Sequence, residues 1–183
     1  MYEWFTDWAD QHLAVTVALV AARDMSERDV LAAYDADLES IKMLTFDECD
    51  DSPDGSRVRI GRSDSWFYTV EHFTTVGASD QTMTRLTAGE GGLSFALACN
   101  VGLNSFQGAE SGSVTTRFDL GLPAFRYGAA PDRYIDEITD AGLFDGQAAA
   151  GSGATLLSIV SGVQITAELL EGPLMSAVLG RSM

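Results

Sequence analysis

Cysteine, proline, histidine and lysine are all scarce in this chain of 183 residues, and each shortage excludes something. The two cysteines, Cys49 and Cys99, form no CxxC pair, so no disulfide framework or dithiol redox motif is encoded. Both are read as reduced packing residues. Zinc needs three or four Cys and His ligands at close spacing, whereas the four such residues here are scattered at positions 12, 49, 72 and 99. No metal site and no cofactor are expected. With four prolines and a 46% apolar content, the chain has neither a proline-rich nor a disordered composition. The longest apolar run, Leu13 to Ala22, covers ten residues, about half of what a membrane-spanning helix requires. The opening Met1-Tyr2-Glu3-Trp4 lacks the basic start of a secretory signal. These absences predict a cytoplasmic protein without membrane association. GxSxG, Walker A and HExxH motifs are missing too, which removes the common hydrolase and nucleotide-binding signatures.

Positive charge is the other shortage. Eleven bases against 27 acids give a net charge of −16 and a pI near 4.2. The imbalance is polarised: residues 1–54 hold 14 acids and three bases, a net of −11, and the remainder 13 and eight, a net of −5. Such a field repels phosphate backbones, because nucleic-acid affinity rests on cations displacing counterions. It speeds encounter with a basic protein and favours a soluble monomer.

What is present reads as an α+β fold, a single domain over residues 1–183 with a mostly antiparallel sheet of about six strands packed against helices. Trp4, Phe5 and Trp8 gather on one stripe of a helix over residues 2–10. Leu13 to Val20 is apolar on both faces, the pattern of a central strand. Ser26 caps a helix ending near Asp37, and Thr45 with Glu48 has capping-box spacing. Two strands, Arg57 to Gly61 and Ser65 to Phe73, form a hairpin, and Ser79 caps the helix that follows. Three more strands span Leu93 to Val101, Asn104 to Ala109 and Ser113 to Asp119, forming a meander. Helices are predicted from Pro131 to Ala141, from Ala148 to Ser161 with a flexible glycine-rich start, and from Thr166, broken near Pro173 and resumed to Leu179.

Several constellations invite chemistry. Asp50, Ser52, Asp54 and Gly55 match the first positions of an EF-hand loop, but Gly61 stands where the bidentate Glu must be. Cys99 and His72 lie in strands that can be neighbours, yet Cys99 sits in an apolar strand that favours an inert thiol. Arg62, Trp66, Tyr68, Phe95 and Arg117 form a candidate pocket. Arg62 and Arg126 are more simply read as internal partners of Asp119 or Glu71.

Three stretches carry a resemblance: Gly61-Arg62 through Trp66 to Glu71; Phe118-Asp119 through Pro123, Arg126 and Gly128 to Pro131-Asp132-Arg133; and Thr166-Ala167-Glu168-Leu169-Leu170 with Pro173-Leu174. Together they resemble an uncharacterised actinobacterial domain family of unknown function, over most of the chain. The acidic insert at 50–54 and the glycine-rich start at 151 depart from it. The resemblance implies the same fold and transfers no catalytic residue.

Three functions are consistent with these residues. The first is a non-enzymatic acidic interaction protein that binds a basic protein partner, in the manner of a toxin-neutralising immunity protein. Its contact residues would be Asp47, Glu48, Asp50, Asp51 and Asp54, with Trp4 or Trp8 as an aromatic anchor. The second is a small-molecule binder or enzyme with the candidate pocket between sheet and helices. The third, nucleic-acid mimicry, needs evenly spaced acids, and these are uneven.

Overall fold

The structure, a computed structural model, describes residues 2–21, 25–50, 55–101, 103–145 and 150–180. Among them the chain forms α1 (Glu3–Gln11), β1 (Ala14–Ala21), α2 (Glu27–Ala33), β2 (Ala36–Leu44), α3 (Phe46–Asp50), β3 (Arg57–Ser63) and β4 (Trp66–His72). It continues through α4 (Asp80–Leu86), β5 (Leu93–Asn100), β6 (Leu103–Glu110), β7 (Ser113–Asp119), α5 (Ile135–Asp140), α6 (Ala150–Ser161), α7 (Ala167–Glu171) and β8 (Leu174–Leu179). The strands make one open sheet in the order β2-β8-β3-β4-β1-β5-β6-β7, every neighbouring pair antiparallel. The fold is α+β.

β1 lies inside the sheet, between β4 and β5, because its side chains can be buried on both faces; Val15 through Val20 are all buried. Val17, Leu19, Val70, Phe95, Leu97 and Phe106 face a layer that contributes Phe5 and Trp8 from α1, Phe46 from α3, Ile138 from α5, Leu156 from α6 and Leu170 from α7. On the other face Val20, Val58, Ile60 and Phe67 meet Val30 and Leu31 of α2 and Leu86 of α4. Fully burying one such side chain stabilises the fold by about 1.5–3 kcal/mol before chain entropy is counted.

The sheet has eight strands, not about six. The additional ones are β2, which lies beyond the predicted α2, and β8, which occupies the segment predicted as resumed helix. Both are rich in the helix formers Leu, Met, Ala, Glu and Lys. Pairing with each other, and of β8 with β3, overrides that local preference. The capping signals operate where the spacing puts them. Ser26 accepts from the Asp29 amide and Asp29 closes the box, Ser79 accepts from the Thr82 amide, and Thr166 accepts from the Leu169 amide. Thr45 and Glu48 bond reciprocally, and Glu48 is held below the usual carboxylate range by those bonds.

The glycine-rich start of α6 serves close packing rather than flexibility. Gly151 is buried, its amide donates to Thr6 Oγ1 at 2.9 Å, and a Cβ there would collide with the Tyr2 carbonyl. α6 therefore lies directly against α1.

Candidate functional site at one end of the sheet

Antiparallel order brings the start of β1, the end of β4, the end of β5 and the start of β6 to one edge of the molecule, since Ala14 opposes Asn100, Val15 opposes His72 and Asn100 opposes Leu103. Three bulky apolar residues are exposed there: Leu13 at 55%, Phe73 at 60% and Val101 at 82%. Water is the wrong environment for such a group of side chains, and exposed apolar clusters mark contact surfaces.

Backbone strain coincides with the exposure. Leu13 has φ 59° and Phe73 φ 56°, in the left-handed region that bulky side chains avoid at a cost of about 1–2 kcal/mol per residue. Leu13 is the centre of a three-residue turn in which the Ala14 amide donates to the His12 carbonyl at 2.6 Å, the γ-turn form that is rare and strained. The Phe73 amide in turn donates to the Ala14 carbonyl at 2.9 Å.

His72 braces both turns. Its Nε2 donates to the His12 carbonyl at 2.8 Å, its ring stacks on Phe73 with centroids 3.8 Å apart, and its Nδ1 lies 2.7 Å from Asp50 Oδ1. His12 is wedged against Trp8, Phe46 and His72, and burial, then the neighbouring His72, holds its pKa below the ordinary value.

A cavity of about 210 Å³ opens beside this brace, lined by Cys49, Asp50, Arg57, Arg59, His72 and Phe73 among others. Its cations have structural work. Arg59 is 2% exposed and donates to the carbonyls of Leu170, Glu171 and Gly172 at the end of α7, and Arg57 donates to the Ser40 carbonyl. Cys49 is half-buried, with its Sγ 3.6 Å from Ser176 Oγ. Cys99 and His72 flank β1 from opposite sides, both opposing Val15, which puts them about 10 Å apart. Burial, then the charge of Asp10, pushes the Cys99 thiol up to about 12. It is not an activated nucleophile. No three His, Cys, Asp or Glu side chains among the described residues are grouped to hold a metal, and no described helix is long and apolar enough to cross a membrane.

The acids singled out in α3 are brought to this side. Asp47, Glu48 and Asp50 are exposed, and Phe46 anchors their helix against Trp8 of α1, ring centroids 5.3 Å apart, so the exposed Asp7 and Asp10 of α1 share the same layer. Asp51 and Asp54, with Ser52 of the loop tested for calcium, lie outside the described residues. The negative end is not uniform: α2, with exposed Asp29, covers the opposite face, and Asp35 pairs with Arg85. Trp8 is 6% exposed and is a core residue, which leaves the half-buried Trp4 as the accessible indole of the two.

The candidate pocket does not assemble. Trp66, Tyr68 and Phe95 belong to the α1–α6 side, whereas Arg62 lies over Phe67 on the opposite face. Arg117 binds Gln107 and Asp80, which precedes the rest of α4 on that same face. Period-two alternation along β3, β4 and β7 puts a sheet between these groups. The expected ion pairs also rearrange: Arg126 pairs with Asp132, Arg62 bonds the Asp64 carbonyl, and Glu71 is fully buried. Leu13, Phe73 and Val101 were not singled out by sequence reasoning, because a strand's terminal apolar residue looks the same whether it turns inward or outward.

No curated protein and no solved structure matches the chain. One family model does, across residues 1–174, and the chain therefore belongs to the family of unknown function DUF6461.

Proposed function

We propose that the chain is a non-enzymatic interaction protein that binds a basic polypeptide at this end of the sheet, with an immunity-like mode in which it covers a cationic face of its partner. The observation that carries the reading is the joint exposure and strain of Leu13 and Phe73 beside the carboxylates of α1 and α3. Backbone strain persists where the surrounding structure holds it, and such positions gather at functional sites. The apolar centre supplies the desolvated anchor, and the surrounding acids supply steering and selection for positive charge.

Affinity capture from the native host, followed by kinetics on the retained protein, tests the reading. A basic protein should be held at low salt, with its association rate falling about tenfold or more between 50 and 500 mM salt. The Leu13→Gly/Phe73→Gly double variant relieves both left-handed positions, so it should fold at least as stably as the parent while losing capture. Capture that survives in this variant and ignores salt would refute the proposal.

A further inference from the structure

A second cavity, of about 310 Å³, adjoins the same sheet end. It lies between the last turn of α1 and the β5–β6 turn, with Leu13 and Val101 as apolar walls, Asp10, Asn100 and Asn104 as polar groups and Cys99 among its lining. Unlike the cavity beside His72, it is lined by no Arg, Lys or His. Asp10 is exposed and has no ion-pair partner among the described residues, and the side-chain amides of the half-buried Asn100 and Asn104 have no hydrogen-bond partner among them. The last turn of α1 contains no basic residue to complement its carbonyl end, so the partial negative charge of that terminus adds to Asp10. Cys99, 4% exposed, stays a neutral thiol and contributes no competing charge.

We infer that this cavity receives a cationic side chain, arginine or lysine, projected by the basic partner. The aliphatic stem of such a side chain lies along Leu13 and Val101, as long cationic residues do on apolar surface, while its head reaches the Asp10 carboxylate and the amide oxygens of Asn100 and Asn104. The strained turn thus has a specific product: it places Leu13 as one wall of a cation-accepting recess. The inference rests on the proposed binding of a basic polypeptide and specifies what that partner must present.

Amide chemical-shift titration of the full chain tests it, with N-acetyl-arginine methylamide, its lysine counterpart and the norleucine counterpart as probes. One or both cationic probes should give saturable shifts at residues 10, 13, 99, 100 and 104, and comparison of the two tells which head group is preferred. Asp10→Asn should weaken the binding about threefold or more, and Asn104→Ala should weaken it further, with the remaining spectrum of both variants unchanged as a control for folding. No localised shift with either cation, or equal shifts with norleucine, would overturn the inference. A salt-dependent partner complex indifferent to Asp10→Asn would sink the cavity alone. Saturable seating of a probe in a chain that captures no basic protein would sink the partner reading alone.

Discussion

Replacing Glu71 by Gln should leave stability at pH 5 nearly unchanged and raise it progressively toward pH 8, by an amount on the order of 3–5 kcal/mol at the upper end. Glu71 is fully buried in β4, its Oε1 accepts the Gly77 amide at 2.8 Å and its Oε2 has no hydrogen-bond partner among the described residues. The Tyr34 hydroxyl, bonded to Thr69 at 2.6 Å, closes the same compartment, and a Cβ at Gly77 would collide with both groups. Burial pushes the Glu71 carboxyl from its ordinary 4.5 to about 8, against the smaller opposing effect of its hydrogen bonds. Between those two values the folded chain keeps a proton that the unfolded chain has released, so stability is complete below the lower value and falls by about 1.4 kcal/mol per pH unit until the upper one. Glutamine has no proton to lose. Chemical denaturation of both proteins across this range isolates the effect, and parallel pH profiles would show that Glu71 is not the protonated, buried group described here.

Arg59→Met should cost about 3–5 kcal/mol, because it removes a buried charged donor from the interior of the sheet. Arg59 ends no ion pair among the described residues; it closes a helix. Its guanidinium donates to the last carbonyls of α7, including Leu170 at 2.6 Å, where the helix terminus is negative, and it lies over the Phe46 ring at 5.4 Å. Burial lowers its pKa, against smaller opposing effects of Cys49, Tyr68, Asp47 and Glu171, and the Phe46 ring beneath it favours the cation. Methionine fills similar volume without donors, so the carbonyl of buried Leu170 and those of Glu171 and Gly172 lose their donor and α3, anchored through Phe46, loses its support. An unfolding free energy from urea denaturation within about 1 kcal/mol of the parent would contradict this role.

Much of the fold is legible from local signals. The capping residues Ser26, Ser79 and Thr166 mark helix starts correctly, and the two-sided apolar run after Leu13 identifies an interior strand. β2 and β8 escape because Glu39, Lys42, Met43, Leu174 and Met175 prefer helix in isolation and are extended by pairing that sequence spacing does not reveal. The acids of α3 are legible as exposed charge, and their position beside Phe73 and Leu13 is not, since it depends on strand order. Glu71 looks like a strand carboxylate available to Arg62 until the sheet face it occupies is known.

Backbone hydrogen exchange of the chain alone and with its captured basic partner tests the central claim most directly. The account predicts new protection confined to residues 10–14, 47–50, 72–74 and 100–104. Protection concentrated on α2 and α4, or at the opposite strand ends around Met43 and Asp64, would contradict it.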